Sequence, residues 1–392
     1  MAFELSETPP KQQLDPGQPT TKTKTFYRPE LDALRFFAFL LVFIYHVGPA
    51  RFSGRRIGGI TVNSVLYPLT HCLADGVCLF FLLSAYLITT LMIRERSVTG
   101  TLDLASFYRR RILRIWPLYF FALALTFIVS TVVRGFPGAA PIAAYVLLAG
   151  NLNNVFHIHA DIGPLKIFHF WSISVEEQFY LMFPMIARSI KLRWLPGVFV
   201  SILVVMIATV TYASHLDEGR ETLWYNSGVQ FIMFGAGIMV AYLFSDRPLP
   251  RLNYGTRFSM FAAGSGVCFS SEYLFTFRGP VPTIAGYLMV MLGCSLVLVA
   301  TLGFSGHVPR SLVYLGKISY GLYVFHIWGL SFAAYILSAL LKSAAASPSV
   351  SVAKDVFGLA LTIAMAAISY RWLEAPFLRL KRHFEVVKTR PV

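Results

Sequence analysis

Residues 168–184 read FHFWSISVEEQFYLMFP, an apolar segment of helical length that carries two adjacent carboxylates, Glu176 and Glu177, near its centre. An ionised carboxylate in the middle of a membrane helix costs roughly 2.5–3.5 kcal/mol, and such acids usually face the interior of a helix bundle. Neighbouring residues on a helix point about 100° apart, so the two acids cannot face the same cavity. We therefore expect one glutamate to serve a site and the other to pair with a basic residue on a neighbouring helix. A structural ion pair that fixes helix packing is the alternative.

The composition indicates an all-α membrane protein. Of the 392 residues, 56% are hydrophobic and only 14% are charged, whereas soluble proteins carry about 25% charged residues. A membrane helix needs about 20 mostly apolar residues in a row, and the chain supplies such runs repeatedly. The formal net charge of +15 is explained by basic residues in cytoplasmic loops, so no nucleic-acid partner is expected.

Ten apolar segments predict a polytopic helix bundle with about ten membrane spans. In chain order they cover 31–50, 66–93, 115–133, 168–184, 196–214, 226–245, 257–275, 284–304, 318–342 and 353–372. The arginine-rich segment 94–114 is expected on the cytoplasmic side, and alternation from there places both termini on that side. The apolar stretch PIAAYVLLAG, 141–150, is too short to cross and is expected to be re-entrant or interfacial.

Polar segments flank this membrane domain. Residues 1–27 are polar and contain several prolines, which predicts a disordered tail and not a signal peptide. The transmembrane domain is expected over 28–378, followed by a basic cytoplasmic tail over 379–392. Three basic residues in 51–56 contradict the charge rule because they would lie outside, and we interpret them as substrate contacts: Arg51, Arg55 and Arg56.

The cysteines give no indication of a metal site or of a disulfide framework. All of them lie inside apolar segments and none forms a CxxC pair. They are interpreted as small buried hydrophobic residues: Cys72, Cys78, Cys268 and Cys294.

The first span places Arg35 and His46 on one helix face. Eleven residues correspond to about three turns, and the rise between the two residues is roughly 16 Å. Arg35 then lies near the cytoplasmic mouth, and His46 lies at about the depth of Glu176 and Glu177. A carboxylate that orients an imidazole makes a general base, so we expect such a pair here. A hydrogen-bonded core histidine is the alternative for His46.

A second basic group lies in YRRRILRIWP, residues 108–117. Arg111 and Arg114 share a helix face at the membrane boundary. Guanidinium groups match phosphate oxygens, so these two residues beside Arg35 could hold a polyanionic nucleotide. A pure topology signal would look the same.

Other ionisable residues inside the membrane allow weaker interpretations. Asp75 and Ser84 in the second span are about a quarter-turn out of alignment, so we do not pair them, and Asp75 would be an interfacial acid. His326 is interpreted as a core histidine rather than a catalytic one. His157, His159 and His169 lack a convincing further ligand, so no metal site is predicted.

Together these motifs resemble the acyltransferase-3 family of integral-membrane acyltransferases, which are acyl-CoA-dependent O-acyltransferases. The resemblance covers about 28–377. It is carried, in order, by Arg35 and His46, FFLLSAYLIT, RRILRIWPLY, WSISVEEQFYL, LGKISYGLYVFH and SYRWLEAP. One departure is Ala85, where the family usually has glycine after the serine, and we expect it to affect packing only.

The resemblance implies transfer of an acyl group, often acetyl, from cytoplasmic acyl-CoA to a hydroxyl on the far side of a bacterial inner membrane. The acceptor would be a sugar, a glycan or a lipid-linked group, and no permanently bound cofactor is implied. His46 would deprotonate the acceptor or briefly carry the acyl group, Glu176 or Glu177 would orient it, and Arg35, Arg111 and Arg114 would bind the donor. Possible supporting residues are Asp75, Ser84, Trp171, Ser172, Tyr320 and His326.

Two other classes of protein agree less well with the sequence. A secondary transporter or glycan flippase also holds charges near the midplane, but such proteins often contain two related halves, and the motifs here each occur once. A non-catalytic scaffold is disfavoured by the number of intramembrane ionisable residues. The sequence leaves the oligomeric state, the acceptor and the acyl group open.

Overall fold

The structure is a computed structural model. It describes residues 26–48, 56–57, 60–61, 68–135, 139–158, 165–245, 247–249, 251–304, 306–341 and 348–389. The predicted N-terminal tail therefore lies, up to residue 25, outside the described residues, as do the side chains of Arg51, Arg55 and Arg56. Within the described ranges the chain is helical apart from one two-stranded antiparallel pair, which confirms the predicted all-α class.

Besides a helical turn at 68–71, the described ranges contain the following α-helices and two short strands. They are α1 Pro29–Val47, β1 Arg56–Ile57, β2 Ile60–Thr61, α2 Gly76–Thr99, α3 Leu104–Arg134, α4 Ala139–Val146, α5 Gly150–Val155, α6 Trp171–Ser189, α7 Leu195–His215, α8 Arg220–Tyr225, α9 Ser227–Leu243, α10 Tyr254–Leu274, α11 Pro280–Thr301, α12 Arg310–Lys317, α13 Ser319–Leu340, α14 Pro348–Ser369 and α15 Ala375–Lys381. Short 3₁₀ turns cover Cys72–Asp75, Phe168–Phe170, Leu192–Trp194 and Arg382–Phe384, and a π-helical turn covers Tyr370–Glu374.

Each of the ten predicted spans coincides with a long helix. Six helical stretches of the described chain are long and apolar enough to cross a membrane: Pro68–Thr99, Leu104–Val133, Leu192–His215, Pro280–Thr301, Ser319–Leu340 and Ser349–Phe384. Helix α9 is apolar but has only 17 residues, and α1 carries three charges in its first two turns. Ten crossings and cytoplasmic termini remain predictions.

The segment between α3 and α6 does not provide a further crossing. Its helices α4 and α5 have eight and six residues, whereas a span needs about 20. Leu148 between them has a positive φ of 56°. The Gly150 amide donates to Ser174 at 3.0 Å, and Tyr119 donates to the Tyr145 carbonyl at 2.7 Å. The short segment is therefore fastened to α3 and α6, as a re-entrant or interfacial element would be.

Helix α2 is the central helix, packed on one side by α1 and on another by α9. A Cβ atom at Gly237 of α9 would lie 2.3 Å from the Leu82 carbonyl oxygen and 2.8 Å from the Ala85 Cβ. Ala85, which replaces the glycine of the family pattern, is fully buried at this contact. Gly237 thus supplies the space that the larger residue on α2 takes up.

The four cysteines are free thiols, and Cys78, Cys268 and Cys294 are buried. This confirms their interpretation as small core residues, except that Cys72 is half-buried.

Helix α12 packs against the start of α1 at Gly316. A Cβ atom there would lie 1.8 Å from the Asp32 carbonyl oxygen, so Gly316→Ala forces apart the turn that carries Asp32 and Arg35. Overpacking costs roughly 1–3 kcal/mol and occasionally more, and we expect a clear fall in unfolding temperature in detergent.

Gly197→Ala is the matched control for this substitution. Gly197 is also helical but has no atom within 4 Å of an added Cβ, so alanine there is expected to leave the unfolding temperature unchanged or to raise it. Equal unfolding temperatures for Gly316→Ala and the wild type would contradict the close contact.

Both ends of the described chain lie together. The Phe26 amide donates to the Lys388 carbonyl at 2.9 Å, and the Phe384 carbonyl accepts from Arg110 of α3 at 2.6 Å. The predicted C-terminal tail is therefore, up to residue 389, packed against the membrane domain rather than separate from it.

Candidate functional site

Two adjoining cavities share walls from α1, α2 and α3, and the first is closed by α15 and the C-terminal segment whereas the second is closed by α6 and α13. The larger, of about 140 Å³, is called the arginine cavity because six cations of the described chain line it: Arg28, Arg35, Arg110, Arg111, Arg114 and Lys381. The smaller, the inner cavity, has about 80 Å³ and reaches Glu176, Tyr180 and Tyr323. Four residues line both cavities: Arg35, Ser84, Arg111 and Arg114. The three arginines predicted from the sequence are thus brought together from α1 and α3.

Most cations of the arginine cavity have a nearby carboxylate. Arg110 lies 2.9 Å from Glu95, and Arg35 lies 3.4 Å from Asp32. Arg111 differs, because its buried Nε has no hydrogen-bond partner in the described chain. Its guanidinium lies over the rings of Phe107 and Tyr180, at 5.6 and 5.1 Å. A buried donor without a partner is costly, so Arg111 is suited to an anionic ligand.

The two glutamates of α6 point to different neighbours, as their 100° offset predicts. Glu176 lines the inner cavity and accepts a hydrogen bond from Tyr180, whose oxygen also bonds to Ser84 of α2. Glu177 accepts a hydrogen bond from the Trp116 indole at 3.0 Å. The expected ion pair with a basic residue is not formed in the described chain, where Glu177 bonds to a neutral indole and Glu176 is the acid that lines the inner cavity.

Three histidines meet beyond the inner cavity. The ring of His326 lies 4.9 Å from that of His46 and 4.7 Å from that of His169, centroid to centroid. His326 and His169 are buried, whereas His46 is half-buried. In the described chain neither Glu176 nor Glu177 hydrogen-bonds to His46, which instead contacts Val42 and His326. The expected histidine–carboxylate pair is thus wrong.

The hydrogen bonds of His46 determine which nitrogen carries its proton. Nδ1 lies 2.9 Å from the Val42 carbonyl oxygen, and a carbonyl can only accept, so Nδ1 is protonated. Nδ1 of His326 is protonated for the same reason, since it donates a hydrogen bond to the Tyr323 carbonyl oxygen at 2.6 Å. The unprotonated Nε2 of His326 then faces Nδ1 of His46 at 3.4 Å. In neutral His46 the lone pair therefore lies on Nε2, the arrangement that a general base requires.

Helix spacing joins the histidines to the cavities. Ser172, Glu176 and Tyr180 follow one another at intervals of four and share one face of α6, and His169 lies three residues before Ser172 in the 3₁₀ turn that leads into this helix. The rise from His169 to Tyr180 is roughly 16 Å, the same as from Arg35 to His46 on α1. Arg35 and Tyr180 both line the inner cavity, and His46 and His169 both contact His326. The site is thus a column with arginines at one end and histidines at the other.

Tyr323 of α13 connects the two ends of this column. It lines the inner cavity, and its ring centroid lies 5.5 Å from that of His326. Its hydroxyl bonds to Ser172 at 2.5 Å and to the His169 carbonyl at 3.1 Å. Sequence reasoning missed His169, Tyr180 and Tyr323, although the three- and four-residue spacing on α6 was available as a signal.

The remaining candidate residues divide between the site and the core. Tyr320 lines the inner cavity and donates to the Ile115 carbonyl at 2.9 Å. Trp171 is a buried core residue whose ring lies 5.1 Å from that of Tyr225. Asp75 is buried, and it does not belong to the lining of either cavity. His157 pairs with Glu218 at 3.5 Å, while His159 lies outside the described residues.

Comparison with known proteins gives one family and a set of bacterial relatives. A family model described as an acyltransferase domain matches residues 28–371. The O-acetyltransferase OatA of Staphylococcus aureus strain NCTC 8325 is 26% identical over 375 residues, which cover 89% of this chain and 57% of the relative. A protein of strain MSSA476, provisionally named an O-acetyltransferase, is 24% identical over 382 residues, which cover 91% and 58%. The chain thus spans less than three fifths of these relatives. No solved structure matches it.

Proposed function

Because the chain belongs to the acyltransferase-3 family, we propose that this integral membrane protein transfers an acetyl group from acetyl-CoA to a hydroxyl. The acceptor is a sugar, glycan or lipid-linked group on the extracytoplasmic side of a bacterial cell membrane. The names of the relatives support acetyl as the group and oxygen as the acceptor atom. Their bacterial source supports the proposed membrane.

The observation that carries the proposal is the column between the arginine cavity and His46. CoA bears its phosphates at one end of a long arm and its thioester at the other. Three arginines suit the phosphates, and they line a cavity that continues to Tyr323 beside the histidines. The spacing of roughly 16 Å along α1 separates phosphate binding from the reacting group, as a donor of this shape requires.

His46 carries the chemistry in this proposal. Its Nε2 accepts the proton of the acceptor hydroxyl as the hydroxyl oxygen attacks the thioester carbon. The carbon–sulfur bond breaks, and the departing thiolate takes that proton back from His46, which leaves an acetyl ester and free CoA. If Nε2 itself attacks the thioester first, the acetyl group passes from His46 to the hydroxyl in a second step. Both routes use the lone pair that the Val42 carbonyl directs to Nε2.

The test is acetyl transfer by the purified full-length protein in detergent. Thiol release from acetyl-CoA and transfer of labelled acetyl to N-acetylglucosamine oligosaccharides are measured together, and CoA binding is measured by calorimetry. We expect CoA binding and acceptor-stimulated thiol release. A folded protein that neither binds CoA nor consumes acetyl-CoA would overturn the proposal.

The two glutamates are expected to differ in their effect on the rate. Glu176→Gln removes the charge that Tyr180 bonds to in the inner cavity. A hydrogen bond to a charged group contributes about 1.5–3 kcal/mol, so kcat/KM for acetyl-CoA should fall by roughly 10–100-fold. Glu177→Gln keeps an acceptor for Trp116 and should leave kcat/KM nearly unchanged. Equal losses in the two variants would contradict the assignment of Glu176 to the cavity.

A further inference from the structure

Among the described cations that line the arginine cavity, Lys381 alone lies beyond the family match, which ends at residue 371. It is the last residue of α15, and its side chain is 16% exposed. Its basic neighbours Arg379 and Arg382 are exposed and do not line the cavity. Burial among arginines is unfavourable for an ammonium group because like charges repel. The position of Lys381 therefore needs an anion.

Glu385 supplies that anion in the structure. Its carboxylate lies 3.1 Å from the Lys381 ammonium and is 9% exposed. It also accepts hydrogen bonds from the hydroxyl and the amide of Thr389, at 2.8 and 3.2 Å. Burial raises the pKa of this carboxyl, but the charge of Lys381 and the hydrogen bonds from Lys381 and Thr389 together lower it by more. The pKa of Glu385 therefore lies below its usual value. Glu385 is thus an ionised group that lines the proposed donor cavity.

A surface ion pair at this spacing would be an ordinary feature of a helix end, and exposed pairs contribute little. This pair differs because both partners are largely buried and line the cavity that the donor phosphates would enter. A carboxylate inside an anion site competes with the incoming anion. The segment that carries Glu385 is held to the mouth of the cavity by the bond from Arg110 to the Phe384 carbonyl and by the bond from Phe26 to Lys388.

We propose that Lys381 is a further donor-binding residue. In the absence of donor its ammonium group pairs with the Glu385 carboxylate, and a donor phosphate replaces that carboxylate on binding. This inference rests on the proposed function. It assigns part of the donor site to the C-terminal segment 381–389, outside the region that matches the family. Donor binding exchanges one anion for another at Lys381 and leaves Glu385 to the solvent and to Thr389.

Opposite effects of two substitutions follow from this exchange. Lys381→Gln removes a ligand of the phosphate, and we expect the Kd for CoA to rise roughly ten-fold or more, in line with the strength of charge-assisted hydrogen bonds. Glu385→Gln removes the competing anion, and the Kd should fall several-fold. Lys381→Arg should retain most of the affinity. In the double variant the gain from Glu385→Gln should disappear, because that gain acts through Lys381.

The experiment measures CoA binding by calorimetry on the full-length wild type and these four variants. Unfolding temperatures establish that each variant is folded, and Arg379→Gln, an exposed change on the same helix, is the matched control with an expected unchanged Kd. The same measurement with 3′-dephospho-CoA identifies which phosphate Lys381 binds. If Lys381 binds the 3′-phosphate, Lys381→Gln should have a smaller effect on the Kd for this ligand. If Lys381 binds the pyrophosphate, the effect should be the same as with CoA.

Two results would overturn the inference. If Lys381→Gln and Glu385→Gln both weaken binding, or neither changes it, the pair only stabilises the helix end. If the folded wild type binds no CoA, the proposed function fails and the inference fails with it. If the wild type binds CoA but Lys381→Gln and Glu385→Gln do not change the Kd in opposite directions, the inference about Lys381 is overturned while the proposed function stands.

Discussion

Replacement of His46 by alanine is expected to lower acetyl transfer by roughly 10²–10⁴-fold, the usual contribution of a positioned acid or base. The Val42 carbonyl and His326 hold the Nδ1 side of the ring, so the substitution removes the only lone pair that this imidazole offers. Arg35 and the arginine cavity lie about three turns away along α1 and are not altered. We therefore expect kcat to fall while the Kd for CoA stays within about two-fold, since nothing that touches the phosphates has changed.

The measurement is single-turnover transfer of labelled acetyl, with CoA affinity determined in parallel. His307→Ala is the matched control, because His307 is an exposed histidine and its loss should change neither quantity. A folded His46→Ala protein that transfers acetyl at the wild-type rate would remove His46 from the mechanism. A rate loss accompanied by an equal loss of CoA affinity would instead indicate a structural role.

Arg111→Gln is expected to weaken CoA binding by roughly 10–100-fold, because a charged hydrogen bond contributes about 1.5–3 kcal/mol. The buried Nε of Arg111 has no hydrogen-bond partner in the described chain, so the substitution removes no hydrogen bond from this atom, although the contacts with the Phe107 and Tyr180 rings are lost. The unfolding temperature should consequently change little, and kcat at saturating donor should be largely kept.

Arg188→Gln, an exposed substitution of the same kind, is the control for this prediction and should not alter the Kd. The salt dependence of CoA binding gives a second readout, since the loss of one phosphate contact flattens it. Unchanged affinity in Arg111→Gln would exclude Arg111 as a donor ligand. A large fall in unfolding temperature would show that its stacking on Tyr180 matters for folding instead.

The parts of the site that lie along one helix could be predicted from the sequence. Helical rise and rotation are set by backbone geometry, so the common face of Arg35 and His46 and the divergence of Glu176 from Glu177 follow from spacing alone. The ten helical segments follow from hydropathy in the same way. Each of these features depends on residues close in the chain.

Contacts between residues on different helices could not be predicted from spacing along the chain. Similar depth in the membrane suggested that His46 would meet a glutamate, but depth does not fix position around the bundle, and the partner is His326 of α13. The sequence offers His169 only as a candidate metal ligand, together with His157 and His159. A 3₁₀ turn leads it directly into α6, and its ring becomes buried with Nε2 3.1 Å from the Val324 carbonyl oxygen.

The anion-binding role proposed for Lys381 could not be predicted from the sequence either. Lys381 lies in RLKRHF, where an excess of positive charge is already explained by membrane topology. Only the fold of 382–389 back towards Phe26 distinguishes Lys381 from Arg379 and Arg382. The topology signal and the anion site use the same residue types, so the sequence does not separate them.

The placement of Arg35 and His46 on one uninterrupted helix has a consequence for donor selection. Backbone hydrogen bonds and not loops set their separation. Under the proposed function, α1 therefore fixes the distance between the residue that anchors the phosphates of the carrier and the atom that reacts with the thioester. A carrier with a shorter arm, or without a phosphate, is then expected to hold its acyl group out of reach of His46, whatever that acyl group is. Selection between thioester carriers would follow from the rise of a single helix.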